Sequence, residues 1–182
     1  MTRQFLVVVC LLVSSAVSLG SEVPSDEFIT IENVTNDEGV KGIRATFRLE
    51  ATREEIWGLF TDYKRFRETF KGIRDLQVLN ENEKGALIRF KIRVSIFPFQ
   101  YTLQRDYVRL NELLTWHRTD GAFRHISGRW EIFPGPREGV HEVIWESFVD
   151  VGFLVPESLV RNRAAKEFEK AVARMRLRLD AD

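Results

Sequence analysis

Ala86-Leu87-Ile88-Arg89-Phe90-Lys91-Ile92-Arg93-Val94-Ser95-Ile96 alternates side chains without a break. Ala86, Ile88, Phe90, Ile92, Val94 and Ile96 share one face. Leu87, Arg89, Lys91, Arg93 and Ser95 share the other. A period of two is the period of an extended strand. One apolar face and one mostly charged face suit a strand that covers a core and meets water behind it, as antiparallel sheets do.

The same pattern continues on both sides. Downstream, an apolar tip, Ile96-Phe97-Pro98-Phe99, leads into a second long strand, Gln100 to Leu110. Leu113 to Thr119 follows, with Asp120-Gly121 as a turn. Ile126, Gly128, Trp130 and Ile132 then face one way, and His125, Ser127, Arg129 and Glu131 the other. Pro134 to Gly139 is a break, and Val140 to Asp150 is the last strand. Upstream, Phe28 to Ile31 is a short strand, Asn36 to Gly39 a turn, and Ile43, Ala45, Phe47 and Leu49 mark the first long strand. Thr52 with Glu55 forms a capping box, and Ile56, Leu59 and Phe60 give the helix behind it an apolar stripe. A second short helix is expected over Asp62 to Phe70, ended by Gly72. These are two short helices after the first long strand.

The period changes near the C-terminus. Val160, Ala164, Phe168, Ala171, Val172, Met175 and Leu179 recur at three- and four-residue spacing, with charged residues between them. Pro156 stands where a helix should begin. Six turns at roughly 1.5 Å per residue can cross a whole sheet. The class is α+β, an antiparallel sheet with a long terminal helix.

The N-terminus carries an address. Arg3 is a short positive region, Phe5 to Val13 is apolar, and Ser18-Leu19-Gly20 fits the small-x-small rule for cleavage. The run is short of the roughly 20 residues that span a bilayer. Residues 1–20 are therefore expected to be a signal peptide, and the mature protein secreted or periplasmic. Cys10 is the single cysteine and lies in the leader, so the mature chain has no disulfide or thiol chemistry. Lys plus Arg and Asp plus Glu are both 27, so no basic excess points to nucleic acid.

Four segments bring a family into view. Thr52 to Tyr63, Phe70-Lys71-Gly72-Ile73, Gly128-Arg129-Trp130-Glu131-Ile132-Phe133-Pro134 and Gly152-Phe153-Leu154-Val155-Pro156 with the final helix resemble the helix-grip domains of the START-like (SRPBCC) superfamily. That superfamily includes polyketide cyclases, lipid-transfer domains and the coenzyme Q-binding family. The resemblance spans nearly all of residues 21–182, read as one domain. It implies a curved antiparallel sheet wrapped around the C-terminal helix, with a hydrophobic cavity between them.

The composition agrees with such a cavity. Of 14 Phe and 4 Trp, only Phe5 lies in the leader. Phe90, Trp130, Trp145, Phe168 and Met175 are candidate cavity walls, although aromatics can also simply pack together. Tyr101, Leu103, Arg105 and Tyr107 share a strand face. If that face is concave, Arg105 needs a partner or a polar ligand group. The other reading leaves its stem on the rim and its head in water. His141 shares a face with Val143 and Trp145, and is either a ligand contact or a hydrogen-bonded core residue. Phe97 and Phe99, with Phe153 and Leu154, make two apolar tips that either frame a portal or fold back on the helix.

Catalytic patterns are sparse. His117, His125 and His141 lack metal-ligand spacing, and nothing calls for a metal or cofactor. The reading is an exported binding protein for a lipid, isoprenoid quinone or similar hydrophobic molecule, with transient contact to a membrane surface. The alternatives are a cyclase or dehydratase using His141 and Arg105, and a protein-interaction module with a filled core.

Overall fold

The alternation at Ala86 to Val94 is a strand, and seven more pair beside it. The computed structural model describes residues 28–94, 97–152 and 157–181. In chain order these form β1 (Ile29–Thr35), β2 (Lys41–Glu50), α1 (Arg53–Thr61), α2 (Phe66–Thr69), β3 (Ile73–Asn82) and β4 (Gly85–Val94). Then follow β5 (Phe97–Arg109), β6 (Leu113–Gly121), β7 (His125–Pro134), β8 (Val140–Asp150) and α3 (Glu157–Leu179). The sheet order is β1-β2-β8-β7-β6-β5-β4-β3. Every neighbouring pair is antiparallel.

The apolar parity of the central strands turns toward α3. Ala45, Phe47 and Leu49 of β2, Ala86, Ile88 and Phe90 of β4, and Val143 of β8 are buried. Phe168, Ala171, Val172 and Met175 of α3 close over them. Burying a large aliphatic or aromatic side chain is worth roughly 1.5–3 kcal/mol, so this shared face holds helix and sheet together. The register sets each contact. Phe47 pairs with Val143, and Ala45 with Trp145. A one-residue slip would send the whole set to water.

The opposite face carries a chain of alternating charges. Arg44 reaches Glu146 (2.5 Å), which also takes Arg129 (2.8 Å). Arg129 reaches Glu131 (2.9 Å), which also takes Arg109 (2.9 Å). Arg109 meets Glu112 (3.0 Å), and Glu112 meets Arg53 of α1 (2.6 Å). Glu131 and Glu146 are nearly buried and each is held by two guanidinium groups. Such doubly bonded carboxylates satisfy charges that would otherwise be costly at low exposure.

Three local expectations need correction. The second helix is only α2, four residues long, because the Asp62 carboxylate accepts the Lys64 and Arg65 amides and turns the chain. It starts at Phe66 and not at Asp62, and its last residue is Thr69, one short of the expected Phe70. The turn expected at Asp120-Gly121 lies further on. β6 runs through Gly121, and Phe123 makes the bend at φ 77°. Phe97, Pro98 and Phe99 are not a loop tip either. They open β5, paired with Val94, Arg93 and Ile92.

Candidate functional site: an apolar cavity under the terminal helix

The sheet and α3 do not close completely. Two adjoining chambers of about 260 and 240 Å³ lie between them. Both are walled in part by Phe70, Ile73, Ile92, Trp145 and Ala164. Side by side they fall within the roughly 300–1,000 Å³ usual for small-molecule sites. The walls are mostly aromatic. Phe90 stacks on Tyr101 at 5.5 Å, and Trp145 stacks on Phe168 at 4.1 Å.

Trp130 is the hub of these rings. It stacks on Phe60 at 4.0 Å and 10°, and lies 5.7 to 6.4 Å from Phe47, Phe70, Trp116, Trp145 and Phe168. Gly128 makes room for one of them. A Cβ there would sit 2.3 Å from the Trp116 ring and 2.1 Å from the Glu146 carbonyl oxygen. The gap read from Gly128 is filled by Trp116 of the neighbouring strand.

Arg105 is 2% exposed and lines the larger chamber. Its Nη1 donates to the Phe60 carbonyl at 2.8 Å. Phe60 is in the last turn of α1, which has no basic residue of its own. The last carbonyls of a helix lack partners within it and favour a cation nearby. Arg105, reaching in from β5, supplies both needs. Its guanidinium lies 5.2 Å from the Tyr63 ring centroid and 5.4 Å from that of Phe66. No carboxylate pairs with it among the described residues. Burial pulls its pKa below the ordinary value, while Tyr63 and Tyr107 favour the charged form. A guanidinium stays protonated through such a shift. The rim reading of Arg105 is thereby corrected: its head is inside.

The sequence candidates divide by position. Phe90, Tyr101, Leu103, Arg105, Trp130 and Trp145 line the larger chamber, and Phe168 the smaller. Tyr107 stands behind Arg105, with its hydroxyl 2.9 Å from that of Tyr63 and its ring against Trp57. Burial raises the Tyr107 pKa, and the Tyr63 hydrogen bond raises it further, so the phenol is neutral. His141 is at the far end of β8, with Nδ1 bonded to the Ala51 carbonyl at 2.9 Å, away from both chambers. Met175 is fully buried in the core below them. Phe97 is exposed, and Phe99 packs on Phe123 at 5.0 Å. Phe153 and Leu154 lie outside the described residues.

Four aromatic wall residues escaped the sequence reading. Phe66 and Phe70 are four apart, a spacing that could have been noticed, but α2 is too short to show a periodic stripe. Trp116 shares its strand parity with buried Leu114, a usable signal. Phe123 reaches the cavity from a positive-φ bend that no period announces.

Residues 49–176 match the sequence family described as polyketide cyclase / dehydrase and lipid transport. The chain belongs to this family. It is a START-like domain, and its helix-grip fold recurs in solved structures. A START superfamily protein from Mycobacterium smegmatis superposes with a TM-score of 0.62 at 16% identity, covering 84% of this chain and 97% of that one. Human StAR-related lipid transfer protein 5 gives 0.65 at 11% identity, covering 84% and 82%. The Zhui aromatase/cyclase from Streptomyces sp. R1128 gives 0.57 at 14%, covering 80% and 88%. No curated protein matches by sequence. In this START-like domain the cavity lies in the matched region, bounded by the sheet and α3.

Proposed function

We propose that this protein is exported and holds a hydrophobic small molecule, a lipid or isoprenoid quinone, in the chambers beneath α3. The observation that carries this is one buried cation in an otherwise aromatic wall. Arg105 has five N–H donors in principle; one reaches the Phe60 carbonyl and the Tyr63 side chain engages another. Tyr101 is a second donor, since burial raises its pKa and keeps the phenol protonated. Both suit a carbonyl or hydroxyl oxygen at the end of an apolar body. The lipid-transfer and cyclase names among similar proteins agree with a hydrophobic cargo.

Affinity should follow the area of tail taken from water. Each methylene added should tighten binding about three- to fourfold until the chambers are full, from about 0.8 kcal/mol per CH₂. A titration of fatty acids and short-tailed quinones with graded chains checks this. Affinity that is flat with chain length would favour the interaction-module reading instead. Export rests on the leader, Arg3 with Phe5 to Val13 and Ser18-Leu19-Gly20. Intact-mass analysis of protein from its own host should find a chain beginning near Ser21. A mature species that keeps Met1 would overturn the secreted or periplasmic assignment.

A further inference from the structure

We propose that the mouth of the cavity docks on anionic lipid bilayers through a rim of exposed cations, an inference that rests on the cavity's being a ligand site. On the outer face of the sheet Arg44, Arg109 and Arg129 are tied down in the charge chain, together with Arg53 of α1. The mouth differs. Lys71 and Arg93 stand on the wall of the smaller chamber. Lys71 also borders a shallow depression with Arg67 and Arg74. All four are exposed. None makes a close ion pair with a described residue, although Arg67 acts at longer range on Asp75.

The carboxylates close by are already engaged. Glu68 is held by Arg65 at 3.1 Å, Glu167 by Lys170 at 3.2 Å and Asp75 by Lys91 at 3.0 Å. The rim therefore presents excess positive charge on a chain whose Lys plus Arg and Asp plus Glu are both 27.

An apolar anchor sits within the same edge. Phe97 is 54% exposed and pairs with Val94, next to the Arg93–Pro98 pair. Ile73 pairs with Ile92, which puts the start of β3 and its basic neighbours beside that hairpin. Cations with an exposed ring between them match an anionic interface, where the ring enters the headgroup layer and the charges meet lipid phosphates. The chamber opening then faces the bilayer, and a hydrophobic ligand can pass without crossing water.

Each cation near an anionic surface strengthens binding about fivefold. The test uses the mature chain and sedimentation with vesicles of phosphatidylcholine alone, or of phosphatidylcholine mixed with phosphatidylglycerol. Binding is expected to the mixed vesicles only, and to fall at high salt. The double variant Arg67→Glu/Arg74→Glu should lose at least about tenfold of that binding. Lys84→Glu, in the turn between β3 and β4 at the opposite end of the sheet, should lose little. Equal binding to neutral vesicles overturns the proposal. So does a double variant that binds as the wild type, or a Lys84→Glu variant that loses as much as the double one. The same proteins are titrated with a fluorescent fatty acid in solution, which also reports that the variants fold. Vesicle binding through the rim with no fatty-acid uptake would sustain the docking surface and overturn the cavity reading.

Discussion

Trp130→Ala is expected to remove about 3–5 kcal/mol of folding stability, the range for truncating a fully buried large aromatic. The side chain is 3% exposed and meets rings from β2, α1, β6, β8 and α3 and from the segment before β3. Its loss opens a hole that these rings cannot all move to fill. The stacked Phe60 partner at 4.0 Å loses its main contact, which unsettles the end of α1. A midpoint shift in urea unfolding measures the cost. Trp130→Phe, which retains an aromatic ring, should lose clearly less. A loss under about 1 kcal/mol in the alanine variant would show that the hub is dispensable. This variant reports on the scaffold and not on the ligand, because the same residue walls the larger chamber.

Arg105→Leu should separate binding from stability. Its acceptor is a neutral backbone carbonyl, so removing the guanidinium strands no opposite charge. Apo stability loses the hydrogen bonds to the Phe60 carbonyl and the Tyr63 side chain and the cation at the end of α1, about 1–2 kcal/mol. It regains the cost of burying a charge without a carboxylate partner. The net change in apo stability is expected to stay within about 1 kcal/mol. Ligand affinity is expected to fall at least tenfold, because hydrogen bonds from a charged donor contribute about 1.5–3 kcal/mol. Unchanged affinity would take Arg105 out of the site. A loss of several kcal/mol in the apo protein would show that its role is structural.

Most of the scaffold is legible in the sequence alone. β4 has one face turned to the core, so the alternation of Ala86, Ile88 and Phe90 with Leu87 and Arg89 is a direct record of burial. α3 carries a stripe at helical spacing because one side of it lies on the sheet. The Thr52 and Glu55 cap is local chemistry, complete within four residues, and both of its bonds are formed. Where side chains and not periodicity decide the chain path, the reading failed. Asp62 takes two amides and delays the start of the second helix to Phe66, and Phe123 bends the chain at positive φ.

The sequence by itself determined which faces are apolar, because a period of two or of 3.6 follows from backbone geometry. It also placed Arg105 on the face of Tyr101 and Leu103. Only the tertiary structure decided what that placement means. The Phe60 carbonyl, 45 residues away in the chain, meets the guanidinium and keeps it inside. His141 has the same apparent parity as Trp145, yet one lies at the Ala51 end of β8 and the other on the cavity wall. Distance along a strand is not encoded in face parity; it depends on where α3 and α2 close over the sheet. The long-range links of the charge chain were hidden for the same reason. Arg44–Glu146, Glu146–Arg129 and Glu131–Arg109 join different strands, and which strands meet is a property of the assembled fold, whereas Arg129–Glu131 and Arg109–Glu112 are local pairs two and three residues apart.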